Sequence, residues 1–176
     1  MKSVLTIIDM QDYFLRRGKN KGYVDPETFQ AEWDTIVNVI RKQITVAKRK
    51  KMPIVVLEFD NSGSTNAKIL RAIKGYKLAK RVEKRRDDGS NEVAETVKEI
   101  MGTDWNPDEF RITGVNRAFC VSRTVKGLSR LFSKAQLKLI EDAIGDEHGD
   151  EYGWGWEFDL DGKPKNATIA NSRAIA

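Results

Sequence analysis

Short apolar runs alternate with long helical patterns along this chain, and this alternation limits how it can fold. Val4–Ile8 is a nearly continuous apolar run, typical of a parallel strand covered on both faces. Asp25 and Pro26 supply a helix cap and a first helical residue, and apolar residues then recur at helical spacing as far as Ala47. Ile54–Phe59 predicts a second buried strand. A strand, a helix and a strand in this order predict a right-handed parallel unit.

The second half of the chain repeats the pattern less regularly. We expect helices near residues 91–101 and 120–132, and strands near residues 110–113 and 136–140. The pattern degrades from Gly145 onward, where we expect coil or a short hairpin. The chain is therefore predicted to form a three-layer α/β/α sandwich with a mostly parallel central sheet. We treat residues 1–176 as a single domain, in which residues 146–176 form an atypical segment rich in Gly and Trp.

The smallest counts in the composition are the most informative ones. The 176 residues, 40% of them apolar, include one cysteine and one histidine. One cysteine excludes an internal disulfide, and one histidine excludes a site with two or three histidine ligands. No apolar run is long enough to span a membrane, and the N-terminus does not resemble a signal peptide. A cytoplasmic protein is therefore expected.

Basic side chains form clusters, and the formal net charge is +5. The clusters lie at residues 41–42, 48–51 and 74–86, and such clusters attract phosphate or nucleic acid. A solvated helix face together with a basic loop is the favoured explanation, because no nucleic-acid-binding motif accompanies the charge. We therefore do not expect nucleic acid as a partner.

Residues with useful chemistry stand at the ends of the predicted strands. Asp9 follows the first strand and Asp60 the second, while Lys84 follows a short apolar and basic stretch. Cys120 follows the fourth strand after a Gly-Val turn. Ligands of parallel α/β folds bind at the carboxyl ends of the strands, so an acid, a lysine and a thiol can meet in one crevice.

Such a set supports nucleophilic catalysis by a thiolate. A nearby ammonium and a helix N-terminus both lower the pKa of a thiol, so Lys84 and the helix after Cys120 are expected to activate the sulfur. Asp9 would accept the thiol proton and pass it to the leaving group. Each residue also has an ordinary structural explanation: a small buried apolar residue for the cysteine, a turn cap for the aspartate and a solvated side chain for the lysine.

Four segments, in order along the chain, resemble the isochorismatase-like cysteine hydrolases. Residues 5–14 resemble the first-strand signature, with an Asp, a Gln two residues later and a Phe three beyond that. Residues 82–90 resemble the lysine segment, and residues 112–124 resemble the signature in which a Gly-Val turn precedes Cys-Val and a Thr. Residues 139–143 resemble the strand that closes the sheet.

The resemblance implies a catalytic triad of Asp9, Lys84 and Cys120. It further implies a cis peptide bond between Val115 and Asn116, which would direct the amides of Asn116 and Cys120 at the substrate carbonyl oxygen as an oxyanion hole. Phe14 matches a position that commonly lines the substrate pocket.

The chain departs from the metal-using members of that family. Nicotinamidases of the family carry histidines after the aspartate that corresponds to Asp60, and here no histidine follows it. A histidine-bound metal is therefore not expected, no cofactor is implied, and nicotinamide loses its main support as substrate. Asp60 is kept as a candidate pocket residue. Enzymes of the family that cleave isochorismate lack the cysteine, so hydrolysis of an amide or ureide is favoured.

The sequence thus predicts a metal-independent cysteine hydrolase that cleaves a C–N bond of a small metabolite through a thioester. The alternatives are a catalytically degenerate binding or scaffold protein on the same fold, and hydrolysis of isochorismate itself. Two features favour the catalytically degenerate protein: the polar turn at residues 87–91 and the unusual C-terminal segment. By analogy with the family we expect a homo-oligomer, a dimer or a tetramer. Tyr152, Trp154 and Trp156 are expected to pack or to form an interface, and His148 to be exposed.

Overall fold

Six parallel strands form the central sheet of the computed structural model, which describes residues 1–22, 24–146 and 163–175. Their order across the sheet is β3-β2-β1-β4-β5-β6, and every pair of neighbours in it runs parallel. The strands are β1 (Ser3–Ile8), β2 (Ile54–Phe59), β3 (Ala79–Lys84), β4 (Glu109–Gly114), β5 (Gln136–Ile144) and β6 (Ala167–Ala170).

Helices cover both faces of this sheet. They are α1 (Asp12–Lys21), α2 (Pro26–Arg49), α3 (Ala67–Ile73), α4 (Ser90–Met101) and α5 (Ser122–Leu131). The first three pack together on one face, and α4 and α5 pack together on the other. A π-helical turn, Arg117–Val121, leads directly into α5, and a short 3-10 turn, Ser172–Ile175, follows β6. The three predicted layers are confirmed.

Burial explains why the central strands and the longest helix form where they do. All six residues of β1 and all six of β4 are buried, as expected for strands with helices on both faces. Helix α2 begins where the Asp25 carboxylate accepts a hydrogen bond from the amide of Thr28, with Pro26 at the first helical position. Its buried residues, including Trp33 and Ile40, recur at helical spacing and lie against the sheet.

The order of the strands determines where a ligand-binding crevice can form. Strand β2 pairs with one edge of β1, and strand β4 pairs with the other edge. The connections that follow β1 and β4 therefore diverge to opposite faces and leave a crevice at the carboxyl ends of these two strands. Asp9 follows β1, and Cys120 lies in the turn after β4.

The structure confirms the main predicted elements and corrects others. Strands β1, β2, β4 and β5 and helices α2 and α4 lie where they were predicted, within a few residues. Helices α1 and α3 were not predicted. The coil or hairpin expected after Gly145 is wrong for residues 167–170, which form β6 parallel to β5. His148, Tyr152, Trp154 and Trp156 lie outside the described residues. None of the helices in the described part of the chain has the length and apolar character needed to cross a membrane.

Candidate active site

Asp9 and Lys84 form a fully buried ion pair beneath the crevice. Lys84 Nζ lies 3.0 Å from Asp9 Oδ2, and neither side chain is accessible to solvent. Lys84 ends β3, two strands away from β1, and its side chain crosses the end of β2 to reach Asp9. On the way, its ammonium lies 4.6 Å from the ring centroid of Phe59 and donates a hydrogen bond to the carbonyl of Arg86. The ammonium is thus fixed by three partners.

Cys120 is positioned by a tight backbone reversal after β4. Gly114 has a φ of 131°, and a Cβ atom there would lie 2.1 Å from the carbonyl oxygen of Ile8. Only glycine allows the chain to pass β1 this closely. Asn116 then takes a left-handed conformation with a φ of 63°, and the π-helical turn that carries Cys120 begins at the next residue. The thiol is 4% exposed.

The expected cis peptide bond between Val115 and Asn116 is wrong. The described residues contain no cis peptide bond, this one included. The positive φ angles of Gly114 and Asn116 reverse the chain direction here with trans peptide bonds.

Three polar side chains surround the Cys120 thiol. Asn116 Nδ2 lies 4.0 Å from Sγ, and Asp87 Oδ1 lies 3.8 Å from it. The third is Asp9, whose carboxylate is close enough to raise the pKa of the thiol. The structure thus places Asp9, Lys84 and Cys120, the residues of the expected triad, in one site and adds Asp87 to them.

The electrostatics of the site differ from the expected activation of the thiol. Burial raises the pKa of the Cys120 thiol, and the Asp9 carboxylate raises it further; the Lys84 ammonium lowers it, but by less. Burial likewise raises the pKa of Asp9, against the opposing effect of Lys84. Lys84 thus acts on the thiol in the expected direction, but burial and the Asp9 carboxylate outweigh it, and the net effect is a raised thiol pKa instead of the expected lowered one.

An open cleft of about 710 Å³ leads to the thiol. Phe14 and Asp60, both predicted to lie in the pocket, line it. The residues that line it come from α1, from the end of β2 and from the turns that carry Asp87 and Cys120: Tyr13, Phe14, Arg17, Lys21, Phe59, Asp60, Asn61, Ser62, Asp87, Asn116, Phe119 and Cys120. Tyr13, Arg17 and Lys21 were missed because α1 was not predicted.

Gln11 fixes one wall of this cleft. Its side chain, which is fully buried, donates hydrogen bonds to the carbonyls of Phe59 and Gly63 and accepts one from the amide of Phe59. These bonds tie the segment after β1 to the end of β2 and the loop that follows. The signal for Gln11 was its place in the first-strand signature.

Asp60 lies at the mouth of the cleft. Its amide donates to the carbonyl of Lys84, and its carboxylate lies 3.6 Å from Arg85 Nε. Within the described ranges, no three side chains of His, Cys, Asp or Glu are grouped so that they could hold a metal ion.

Comparisons with known proteins identify the fold. Searches of family profiles and of curated proteins find no match. A nicotinamidase from Bacillus subtilis superposes with a TM-score of 0.73 at 14% identity over 97% of this chain and 100% of that one. An N-carbamoylsarcosine amidase from Thermoplasma acidophilum gives 0.66 at 18% identity over 98% and 97%. A MAR1 ribonuclease from Caenorhabditis elegans gives 0.69 at 17% identity over 99% and 79%. The chain therefore has the isochorismatase-like α/β fold that its signature segments predicted.

Proposed function

We propose that this protein is a cysteine hydrolase of the isochorismatase-like family that cleaves a C–N bond of a small amide or ureide. The observation that carries the proposal is the buried ion pair of Asp9 and Lys84, which lies close enough to the Cys120 thiol for both charges to act on its pKa. A base beside a thiol, held in turn by a third group, is the arrangement that nucleophilic catalysis requires. The names of two similar structures, a nicotinamidase and an N-carbamoylsarcosine amidase, agree with this chemistry.

In the first half of the reaction, Asp9 removes the proton of the Cys120 thiol as Sγ attacks the carbonyl carbon of the substrate. Because its pKa is raised toward neutral pH, the Asp9 carboxylate is a stronger base than the carboxylate of an exposed aspartate. The C–N bond then breaks as Asp9 returns the proton to the leaving nitrogen. Ammonia or an amine departs, and the acyl group remains on sulfur as a thioester.

In the second half, Asp9 removes a proton from a water molecule, which attacks the thioester carbon. The C–S bond breaks, the thiol regains its proton and the carboxylic acid leaves. Lys84 keeps Asp9 ionised and oriented through both halves, because its ammonium favours the charged carboxylate.

The carbonyl oxygen gains negative charge in both tetrahedral intermediates. We assign its stabilisation to the backbone amides of Asn116 and Cys120, at the reversal after β4. A single donor of this kind contributes about 3 kcal/mol to such transition states. The assignment does not need a cis peptide bond.

A panel of small amides and ureides tests the proposal through the release of ammonia or amine. We expect the unmodified protein to turn over at least one of them and Cys120→Ala to turn over none. Cys120→Ser keeps the size of the side chain and controls for packing. If no compound is hydrolysed and the protein instead shifts DNA or RNA in a salt-sensitive way, the proposal is wrong and the binding-protein alternative is right.

A further inference from the structure

A second carboxylate lies beside the Cys120 thiol. Asp87 Oδ1 is 3.8 Å from Sγ, within hydrogen-bonding range of a sulfur atom. The Asp87 side chain is 31% exposed and lines the cleft, whereas Asp9 is fully buried. The thiol therefore has one acidic neighbour in the interior and another at the cleft, and the proposed mechanism uses only the first.

Asp87 is held in place by the helix that follows the cysteine. Arg123 Nη1 donates to Asp87 Oδ2 at 2.6 Å, and the Thr124 hydroxyl donates to the Asp87 carbonyl at 3.3 Å. The amide of Gly89 donates in turn to the Thr124 hydroxyl. Arg123 and Thr124 lie in the first turn of α5, immediately after the turn that carries Cys120. One helix thus fixes both the thiol and the carboxylate.

This arrangement leaves the two oxygens of Asp87 with different partners. Oδ2 accepts from Arg123, and Oδ1 lies toward the thiol. An ionised carboxylate only accepts hydrogen bonds, so Oδ1 prefers a group that carries an N–H or a positive charge. A carboxylate of the substrate at the same place would meet a like charge.

We propose that Asp87 is a specificity-determining residue, whose Oδ1 accepts a hydrogen bond from an N–H group beside the reacting carbonyl and which disfavours an anionic group there. The inference rests on the proposed function and narrows its substrate class. It selects primary amides, ureas and ureides, and amides with an amino group next to the carbonyl. It disfavours amides with a carboxylate directly beside the carbonyl carbon.

Charged thiol reagents test this selection without any substrate. Methanethiosulfonates transfer an RS group to a cysteine and release a sulfinate, and Cys120 is the only cysteine of the chain. The aminoethyl reagent is cationic, the sulfonatoethyl reagent is anionic and the methyl reagent is neutral. The measured quantity is the ratio of the cationic to the anionic rate constant at pH 7. A change in thiol pKa alters both rates equally and cancels in this ratio.

We expect Asp87→Asn to lower the ratio about fivefold, the size expected when one charge a few ångströms from the thiol is removed. Asp88→Asn is the matched control, because it removes the same charge one residue further on. Asp88 Oδ1 accepts from the Ser90 amide, its other oxygen lies 3.6 Å from Arg130, and the cleft-lining residues of the described chain do not include it. In Asp88→Asn the ratio should stay within about twofold of its value in the unmodified protein.

An unchanged ratio in Asp87→Asn overturns the inference, and so does an equal fall in both variants, which would reflect net charge alone. The readout is thiol modification, so it separates this inference from the proposed function. A protein that hydrolyses amides but shows no effect of Asp87→Asn retains the function and loses the specificity assignment. If the protein hydrolyses no amide but Asp87→Asn lowers the ratio, the cleft selects by charge as inferred and the proposed hydrolase function is wrong.

Discussion

The ammonium of Lys84 lies 3.0 Å from the carboxylate of Asp9, and both side chains are completely excluded from solvent. Two desolvated charges of opposite sign stabilise each other, and either one alone would be an uncompensated charge in the interior. The pair is therefore both a structural element and the centre of the proposed chemistry.

Lys84→Met should destabilise the protein, because it leaves the Asp9 carboxylate buried without its cation. The free energy of unfolding should fall by about 3 kcal/mol in denaturant titrations at pH 7. Lys80→Met is the control, since Lys80 pairs with Glu99 at the surface and both side chains are about half exposed. An exposed pair of this kind contributes less than about 1 kcal/mol. Equal losses in the two variants would contradict this account of the buried pair.

Asp9→Asn should separate turnover from thiol reactivity. Turnover should fall by about a thousandfold, because the base is lost. Alkylation of Cys120 by iodoacetamide at pH 7 should become faster than in the unmodified protein, because the negative charge that raises the thiol pKa is gone while Lys84 remains. Slower alkylation in this variant would mean that Asp9 activates the free thiol by a different route.

The pH dependence of kcat/KM should show an acidic limb set by Asp9. Asp9 must be ionised to accept the thiol proton, and burial raises its pKa. Activity should therefore be lost as the pH falls through a midpoint above the ordinary aspartate range. Lys84→Met should move this midpoint to higher pH, because the ammonium that lowers the Asp9 pKa is removed. If the midpoint lies in the ordinary aspartate range, or does not move in Lys84→Met, the acidic limb reports a group other than Asp9.

Gly114→Ala should destabilise the site and the fold together. A Cβ atom at this position would lie 2.1 Å from the carbonyl oxygen of Ile8, and the φ of 131° is strained for any side chain. Gly102→Ala controls for the strain alone, since Gly102 has a φ of 93° with open space around it. We expect the loss in thermal unfolding to be clearly larger for Gly114→Ala, with loss of turnover. Similar losses of thermal stability in the two variants would show that the close approach to β1 is not the cause.

The elements that the sequence predicted are those with strong apolar patterns. Strand β1 and helix α2 are bounded by caps and carry continuous or periodic apolar residues. Helix α1 has only two buried residues, Phe14 and Gly18, and gives no comparable pattern. Strand β6 has four residues, one of them buried, and forms by pairing with β5. Such edge elements depend on tertiary contacts that the local sequence does not show.

The signature segments pointed to the candidate residues that the fold places near one another, but not to the electrostatics of the candidate site. Asp9, Lys84 and Cys120 stand at or just beyond strand ends, where the fold and the resemblance agree. The direction of the thiol pKa depends on burial and on the pairing of Lys84 with Asp9, and neither follows from spacing along the chain. Asp87 belongs to the polar turn at residues 87–91 that favoured the degenerate alternative, and its contact with the thiol is visible only in three dimensions.

In the proposed mechanism, Cys120 carries the acyl group during turnover. The most direct test of this step is the intact mass of the protein, quenched with acid while it hydrolyses the best amide of the panel. We predict a fraction of the protein heavier by the acyl group, located on Cys120 by peptide mapping and absent from Cys120→Ala. Turnover at full rate in Cys120→Ala, or an acyl group found on another residue, would contradict the account.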